Sequence, residues 1–315
     1  MTDSQSKTVS ILGGTGFVGQ AIVQAFHGQG WNVRIIPAPR LSFTGDIPES
    51  VLPAEAFASV ILELSQQLED SVAVVNAAGD PNASSQNLTS LLGPNAALPV
   101  VVKRAAEMAK VARYVHVSSS VVQGDRPILD STPNVFPFSP YSKAKAFGEK
   151  WLLMEPAAVT GTTIYRPPSV HAVGRGVTEK IRALAASPLS SVAGTGSSQT
   201  PQALLENVAD AVTFLVASPE QPPPIVHHPW EGLTSLELLR FLGSKEPRHI
   251  PRGLARTFIK TVKVAERPVK LIAPNRRRLE LLWFGQGVAP SWLEQAGWQP
   301  PFGKEKWAEL GQSAT

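Results

Sequence analysis

The chain has 315 residues, 43% hydrophobic and 17% charged, with a formal net charge of +4. That length suits two average domains, or one large α/β domain with a smaller lobe, and the composition is not that of a disordered chain. The absence of cysteine excludes disulfide frameworks, thiolate zinc sites, iron–sulfur clusters and a cysteine nucleophile.

In chain order, residues 1–10 lack a basic segment followed by an apolar one, and no later apolar run approaches the roughly 18 residues of a membrane span. A soluble, cytoplasmic protein is expected. Residues 8–12 read as a buried strand, followed by a glycine turn and by Val18, Ile22, Val23 and Phe26 at helical spacing. A second strand is predicted at 31–36, ended by Pro37 and Pro39. Short β-branched runs at 71–75 and 114–117 predict further strands, separated by helices at 55–67 and 98–110. A last strand at 162–165 runs into Arg166-Pro167-Pro168. Strands alternating with helices predict a parallel sheet covered on both faces. Beyond residue 170, Gly, Ser and Pro become frequent, with a flexible-looking stretch at 193–198, a helix at 204–217 and a proline break at 222–224.

The first turn, Gly13-Gly14-Thr15-Gly16-Phe17-Val18-Gly19, lies between a strand and a helix. Glycines there permit a tight turn and close approach of the backbone to a pyrophosphate, and the helix N-terminus supplies N–H groups and positive dipole. NAD-binding units usually carry an acidic residue about 20 positions on. Here that region is Ile36-Pro37-Ala38-Pro39-Arg40. Arg40, with Arg34 as a second candidate, points to the 2′-phosphate of NADP, with NAD as the alternative.

Tyr141 and Lys145 form a YxxxK pattern, which on a helix puts phenol and ammonium one turn apart. A neighbouring ammonium favours the ionised phenol and brings it into range for proton exchange with an alcohol or carbonyl. Ser118, Ser119 and Ser120 follow the strand at 114–117, where ligands of open parallel sheets bind. A hydroxyl there can hydrogen-bond the oxygen that Tyr141 protonates.

The order and spacing of Gly13, Gly16 and Gly19, of Asn76-Ala77-Ala78-Gly79, of the serine triplet, of Tyr141 with Lys145 and of Arg166-Pro167-Pro168 resemble the extended short-chain dehydrogenase/reductase family, also called the NAD-dependent epimerase/dehydratase family. The likeness covers about residues 8–215. A weaker match, Gly297-Trp298-Gln299-Pro300, lies near the C-terminus. It implies a doubly wound parallel Rossmann sheet with a smaller C-terminal α/β lobe. On that basis residues 1–168 are expected to form the NAD(P)-binding domain, with about 203–226 returning to it. The substrate lobe would comprise 169–202 and 227–315.

The resemblance also implies roles. Tyr141 would be the acid/base; Lys145 would bind the nicotinamide ribose and lower the tyrosine pKa. Ser119, five residues before Gly124, would be the active hydroxyl. Gly13, Thr15, Gly16, Phe17, Val18 and Gly19 would hold the pyrophosphate, and Asp46 and Ile47 would contact the adenine. Ala77, Ala78 and Gly79 would line the cofactor, Pro167 and Pro168 would approach the nicotinamide, and Asn95 matches a helix residue of the pattern. Ser120, Ser169 and His171 are candidate substrate contacts. Three departures stand out. Ser120-Val121 replace the acidic pair of dehydratases, which disfavours dehydration. Gln123 replaces the common Tyr before Gly124, and Ser169 replaces the Asn of nucleotide-sugar enzymes.

The six histidines show no spacing that recommends a metal site. Residues 245–280 hold 11 Lys and Arg against 3 Asp and Glu, so the rest of the chain is net negative. The excess is largely one predicted amphipathic helix at 252–267, with Arg252, Arg256, Lys260, Lys263 and Arg267 on one face and Leu254, Phe258, Val262 and Ala265 on the other. Three readings fit it: a surface helix of the substrate lobe, contact with an anionic membrane surface, or a site for an anionic substrate or partner. Nucleic acid is not an expected partner, a homodimer is left open, and Trp283, Trp298 and Trp307 read as core.

The expected reaction is hydride transfer between a nicotinamide and a secondary alcohol or ketone carbon of a small-molecule substrate. The alternatives are a nucleotide-sugar epimerase with retained NAD and a non-catalytic NAD(P) sensor.

Overall fold

The computed structural model describes residues 7–42, 52–53, 55–124, 126–156, 159–243, 245–265 and 273–313. Its strands are β1 (Thr8–Leu12), β2 (Asn32–Ile36), β3 (Ala73–Asn76), β4 (Arg113–Val117), β5 (Ile128–Leu129), β6 (Gly161–Arg166), β7 (Ser169–His171), β8 (Ser191–Ala193), β9 (Gln202–Leu204), β10 (Ile225–His227), β11 (Arg248–Ile250) and β12 (Gly287–Val288). The helices are α1 (Phe17–Gly28), α2 (Ala58–Leu68), α3 (Leu88–Leu92), α4 (Leu98–Met108), α5 (Pro140–Met154), α6 (Gly176–Ala186), α7 (Leu205–Ala217), α8 (Ser235–Leu242), α9 (Arg252–Ala265), α10 (Ala273–Phe284), α11 (Trp292–Gln295) and α12 (Lys304–Gln312).

Six strands form one all-parallel sheet in the order β10-β6-β4-β3-β1-β2. The register sets Ile11 between Ile35 and Val75, so apolar side chains fall into rows that both faces must cover. The inner strands β3 and β4 are buried almost throughout, whereas the edge strand β2 is half exposed. Continuous apolar runs, rather than alternating ones, are what a sheet covered on both sides demands. Helices α2, α4 and α5 pack on one face and α1 with α7 on the other, giving two separate apolar cores. This is the doubly wound class expected from the alternating pattern.

The remaining segments pack as small clusters beside the sheet. Leu204, Leu233, Leu238, Leu242, Leu310 and a wholly buried Trp307 form one of them. Trp283 joins Ala193, Ala255 and Ile259 in another, beneath α9 and α10. The stretch at 193–198 is a defined turn, in which Gly194 and Gly196 take left-handed φ values of 65° and 70°. On α9 the buried edge is Ala255 and Ile259, while Leu254 and Phe258 are 65% and 51% exposed. The expected apolar face is therefore rotated away from the core, and Arg267 lies outside the described residues.

The connection from α3 to α4 runs through a π-turn at Gly93–Ala97. Its widened turn packs against the chain that leaves β2: a Cβ on Gly93 would lie 1.9 Å from the Leu41 carbonyl oxygen. It also aims Asn95 at the loop after β3, where the side chain accepts from Asp80 N–H and donates to Asp80 O, both at 3.1 Å. Such π-turns often mark functional positions.

Helix α5 starts at a capping box, with Ser139 as N-cap and Pro140 in the first turn. It is tied to the sheet by an ion pair of Glu149 with Arg166 at the end of β6 (2.6 Å), both side chains only 1% exposed. Arg166 donates its remaining N–H groups to the carbonyls of Asp130 (3.1 Å) and Thr132 (2.8 Å), and the Ser118 hydroxyl donates to Glu149. Removing one member of a buried pair leaves an uncompensated charge, at a cost of about 3–5 kcal/mol. Glu149→Ala is therefore expected to lose that much stability in urea denaturation. The double variant Glu149→Ala/Arg166→Met should lose less than the sum of the two single changes, and additive losses would show that the two groups do not act as a pair.

Candidate active site

The C-terminal edge of the sheet brings the expected residues together. At one side is the turn from β1 into α1. Gly13 has φ 78°, and a Cβ there would lie 2.5 Å from the Ala78 nitrogen, so this glycine is required both by conformation and by the approach of the loop after β3. A Cβ on Gly19 would come within 2.0 Å of the Gly13 carbonyl oxygen, which locks helix against turn. Gly16 is the N-cap of α1 and provides no side-chain cap, and the first turn contains no acidic residue. Thr15 and Gly16 are exposed while Phe17 and Val18 are half-buried. The first N–H groups of α1 therefore point outward from an exposed backbone cradle, the arrangement that receives a pyrophosphate.

Ala77 and Ala78 stand opposite this cradle, and Gly79 leads into the loop held by Asn95. Next along the edge, Ser119 begins the short 3-10 turn Ser120–Gln123, and its hydroxyl accepts from Val121 N–H at 3.4 Å. Ser120 N–H donates to the Pro167 carbonyl at 2.9 Å, and Pro167 and Pro168 are buried. Helix α5 packs against the Ser119 turn. Along its inner stripe stand Tyr141, Lys145 and Glu149, each four residues after the last. The Lys145 ammonium donates to Val117 O at 3.3 Å and passes close to Gly79, where a Cβ would lie 3.4 Å from Nζ.

Burial sets the electrostatics. It lowers the Lys145 ammonium to about 8, with the Glu149 carboxylate opposing. It pushes the Tyr141 phenol up to about 12, with Arg175 pulling down and Asp80 pushing up. In the protein alone, then, the phenol is raised, not lowered as a neighbouring ammonium would make it: desolvation outweighs attraction. His116, wholly buried on β4 with Nδ1 3.4 Å from Asn76 Nδ2, is held well below its ordinary range by burial and by Lys145.

Other expected positions are used differently. Arg34 donates from Nη1 to Gln67 O (2.9 Å) and Glu69 O (2.8 Å), which satisfies carbonyls at the end of α2. Arg40 is exposed and has no hydrogen-bond partner among the described residues. Asp46 and Ile47 lie outside the described residues. His171, expected at the substrate, is wholly buried: Nδ1 pairs with Thr178 Oγ1 (3.1 Å), Nε2 with Gln202 Oε1 (2.7 Å) and Ser169 Oγ (3.1 Å), and burial lowers it to about 4. It is a packing residue that engages the Ser169 hydroxyl. Gln123, which departs from the family pattern, pairs with Asp130 Oδ1 (2.8 Å), Asp130 N–H (3.0 Å) and Asn134 O (3.0 Å), bracing the 130–134 loop.

Two residues escaped the sequence reading. Glu149 was visible only as the next step of the Tyr141–Lys145 stripe. Arg175, between Gly174 and Gly176 beyond β7, places its guanidinium 4.5 Å from the ring centre of Phe17 in the glycine turn. Its charge also acts on Tyr141.

Comparison with known proteins follows this geometry. No curated protein matches the sequence. Among solved structures, a human epimerase family protein, SDR39U1 isoform 2 with NADPH, is 18% identical with a TM-score of 0.65, covering 97% of this chain and 99% of its own. A UDP-N-acetylglucosamine 4-epimerase from Methanobrevibacter ruminantium M1, in complex with UDP-N-acetylmuramic acid, is 18% identical at TM-score 0.65, covering 98% and 97%. The dTDP-4-dehydrorhamnose reductase of Bacillus anthracis with NADP is 13% identical at TM-score 0.62, covering 99% and 100%. These likenesses show a shared fold. The model of the NAD dependent epimerase/dehydratase family matches residues 9–226, and the chain belongs to that family.

Proposed function

We propose that this protein is an NAD(P)-dependent oxidoreductase acting on a secondary alcohol or ketone, with Tyr141, Lys145 and Ser119 as its catalytic residues. The observation that carries this reading is the inner stripe of α5, which sets Tyr141 and Lys145 against the Ser119 turn, beside the uncapped N-terminus of α1. A nicotinamide held along this edge supplies or accepts the hydride. Ser119 orients the reacting oxygen by hydrogen bonding, and the Tyr141 phenol gives its proton to that oxygen in reduction and recovers it in oxidation. Lys145 supplies positive charge beside the phenol, held in place by Val117 O and by the opposing Glu149. The glycine cradle, Ala77 and Ala78 hold the dinucleotide, and Arg175 on Phe17 covers the turn from the lobe side.

Arg40, exposed past the end of β2 where no carboxylate stands among the described residues, favours NADP over NAD. Family membership keeps a nucleotide-sugar epimerase with retained NAD as the second reading. Nicotinamide that stays bound through purification, with activity in the absence of added cofactor, supports that second reading. Freely exchanging NADPH supports the first.

Tyr141→Phe is expected to lower turnover by roughly 100- to 10,000-fold while leaving cofactor affinity unchanged, checked by steady-state kinetics on a panel of ketones and nucleotide sugars with NADPH titration alongside. A variant that keeps most of its activity removes the phenol from the mechanism.

Arg40→Ala should weaken NADPH binding roughly tenfold or more with NADH affinity unaltered, measured by fluorescence titration. Equal losses for both cofactors would mean that Arg40 does not read the 2′-phosphate.

Lys145 also gives a pH signature. Its folded value of about 8 lies below its ordinary 10.5, so burying the ammonium costs stability below pH 8. Between pH 8 and 10.5 the unfolded state binds more protons and that cost is relieved. Relative to Lys145→Met, the wild type should gain stability on the order of 3 kcal/mol across this window. Parallel curves for the two proteins would contradict the buried, charged lysine.

A further inference from the structure

The chain that follows β10 and the chain that ends α11 enclose a cavity of about 260 Å³ that the catalytic reading does not use. Pro229 and Trp230 line it from the first segment, and Glu294, Trp298, Gln299 and Pro300 from the second. Gly297 takes a left-handed φ of 85° and turns the chain out of α11; Trp298 N–H then donates to Leu293 O at 2.8 Å, which seats its indole in the wall. Both indole N–H groups are committed elsewhere, Trp230 Nε1 to Leu233 O and Trp298 Nε1 to Asp210 Oδ1, each at 2.7 Å. What the two rings offer a ligand is therefore π surface, not a hydrogen bond.

The charge around the cavity has one sign. Glu294 is its single ionisable lining residue, and no Lys, Arg or His lines it. Behind the Trp298 ring stand two more carboxylates: Asp210 on its N–H, and Glu231, which holds His228 (2.9 Å), whose ring meets that of Trp298 at 5.5 Å. None of the three has a Lys or Arg within salt-bridge distance among the described residues. Lys304, which passes beside Gly232, is paired with Glu237 at 2.6 Å. Burial, and after it Glu231 and Asp210, hold the neighbouring Tyr165 phenol well above its ordinary range, as an unrelieved negative field requires.

An aromatic wall in such a field attracts a cation, and an indole that donates its N–H to a carboxylate keeps more electron density on its ring. A bare metal ion does not suit the place. Indole and proline supply no ligand atoms for it, and no group of three or more His, Asp and Glu among the described residues could hold one. An alkylated ammonium suits it better, with its carbon substituents on Trp and Pro and its charge shared between the rings and Glu294. The volume is below that of drug-sized ligand sites, which limits the occupant to a small molecule or the head of a larger one.

We propose that this cavity is a binding site for an organic cation, an alkylated ammonium, held by Trp230, Trp298 and Glu294. Its lining includes none of Ser119, Tyr141 and Lys145, so the site stands whether or not the nicotinamide reading holds.

The test is calorimetric titration of the full-length protein with choline and with 3,3-dimethyl-1-butanol, its uncharged counterpart of the same shape, at an ionic strength held constant with sodium chloride. Choline should bind saturably, and the alcohol roughly tenfold or more weaker. Trp230→Leu should weaken choline binding roughly tenfold and Trp230→Phe by less, since indole attracts a cation better than phenyl does. Glu294→Gln keeps an acceptor for Ser291 N–H, and with it the cap of α11, and should weaken choline by about three- to tenfold. Glu309→Gln removes an exposed carboxylate of α12 outside the cavity lining and should change the affinity by no more than about twofold. Circular dichroism checks the fold of each variant. Absence of saturable choline binding, equal affinity for the uncharged alcohol, or unchanged affinity in both Trp230→Leu and Glu294→Gln overturns the site. Co-sedimentation with phosphatidylcholine vesicles that free choline displaces would place the ammonium on a lipid headgroup, and choline binding without co-sedimentation would place it on a free small molecule; either result upholds the site.

Discussion

The pair of Glu149 and Arg166 fixes the geometry on which the active edge depends. Burying two charges costs more than their attraction returns unless every remaining polar atom is satisfied. Here Arg166 spends its N–H groups on Glu149 and on two carbonyls of the 130–132 loop, and Glu149 also receives the Ser118 hydroxyl. One interaction thus joins the end of β6, the end of β4, the middle of α5 and a loop that Gln123 braces from the other side. Since Glu149 lies on the same helical stripe as Lys145 and Tyr141, the pair fixes the rotation of α5 about its axis. A turn of that helix would carry the phenol and ammonium away from the Ser119 turn.

The other half of the edge is held by close approach in place of charge. Gly13, Gly19 and Gly93 each stand where a Cβ would overlap backbone, so the first turn closes on itself and on Ala78, and the π-turn on Leu41, with no side chain between them. Asn95 completes the arrangement by hydrogen-bonding both backbone groups of Asp80, which sets the loop that carries Gly79. The π-turn that displaces Asn95 from a regular helix is the local price of that reach. An open α1 N-terminus and an exposed glycine backbone follow directly from these contacts.

The sheet and its flanking helices were legible because hydrophobic periodicity and glycine placement are local signals, and the edge residues were legible because motif spacing maps onto strand ends and helix stripes. Boundaries moved by a few residues; α2, for instance, starts at Ala58 where apolar content alone suggested position 55. What the sequence hid was relational. Arg34 and His171 have the chemistry of ligands, but a guanidinium beside free helix carbonyls and an imidazole enclosed by Thr178 and Gln202 are committed to the fold by partners 30-odd and 7 to 31 residues away. Arg175 is equally invisible in one dimension, because Phe17 lies far from it in sequence. The face of α9 was misjudged for a related reason: with apolar residues on two sides of a basic helix, only the neighbouring Trp283 and Ala193 decide which side is buried.

Burial acts on Tyr141 and Lys145 in opposite directions, and both effects favour the uncharged form. The phenol at about 12 is protonated throughout the neutral range, while the ammonium at about 8 keeps most of its charge at pH 7 and loses it soon above. In the neutral range the phenol is therefore a proton donor and the ammonium a cation. To take a proton from an alcohol the phenol must ionise, and any positive charge brought near it lowers that cost. Arg175, seated on the Phe17 ring, acts on Tyr141 in this sense. One guanidinium thus touches the Phe17 ring of the glycine turn and acts by its charge on the Tyr141 phenol.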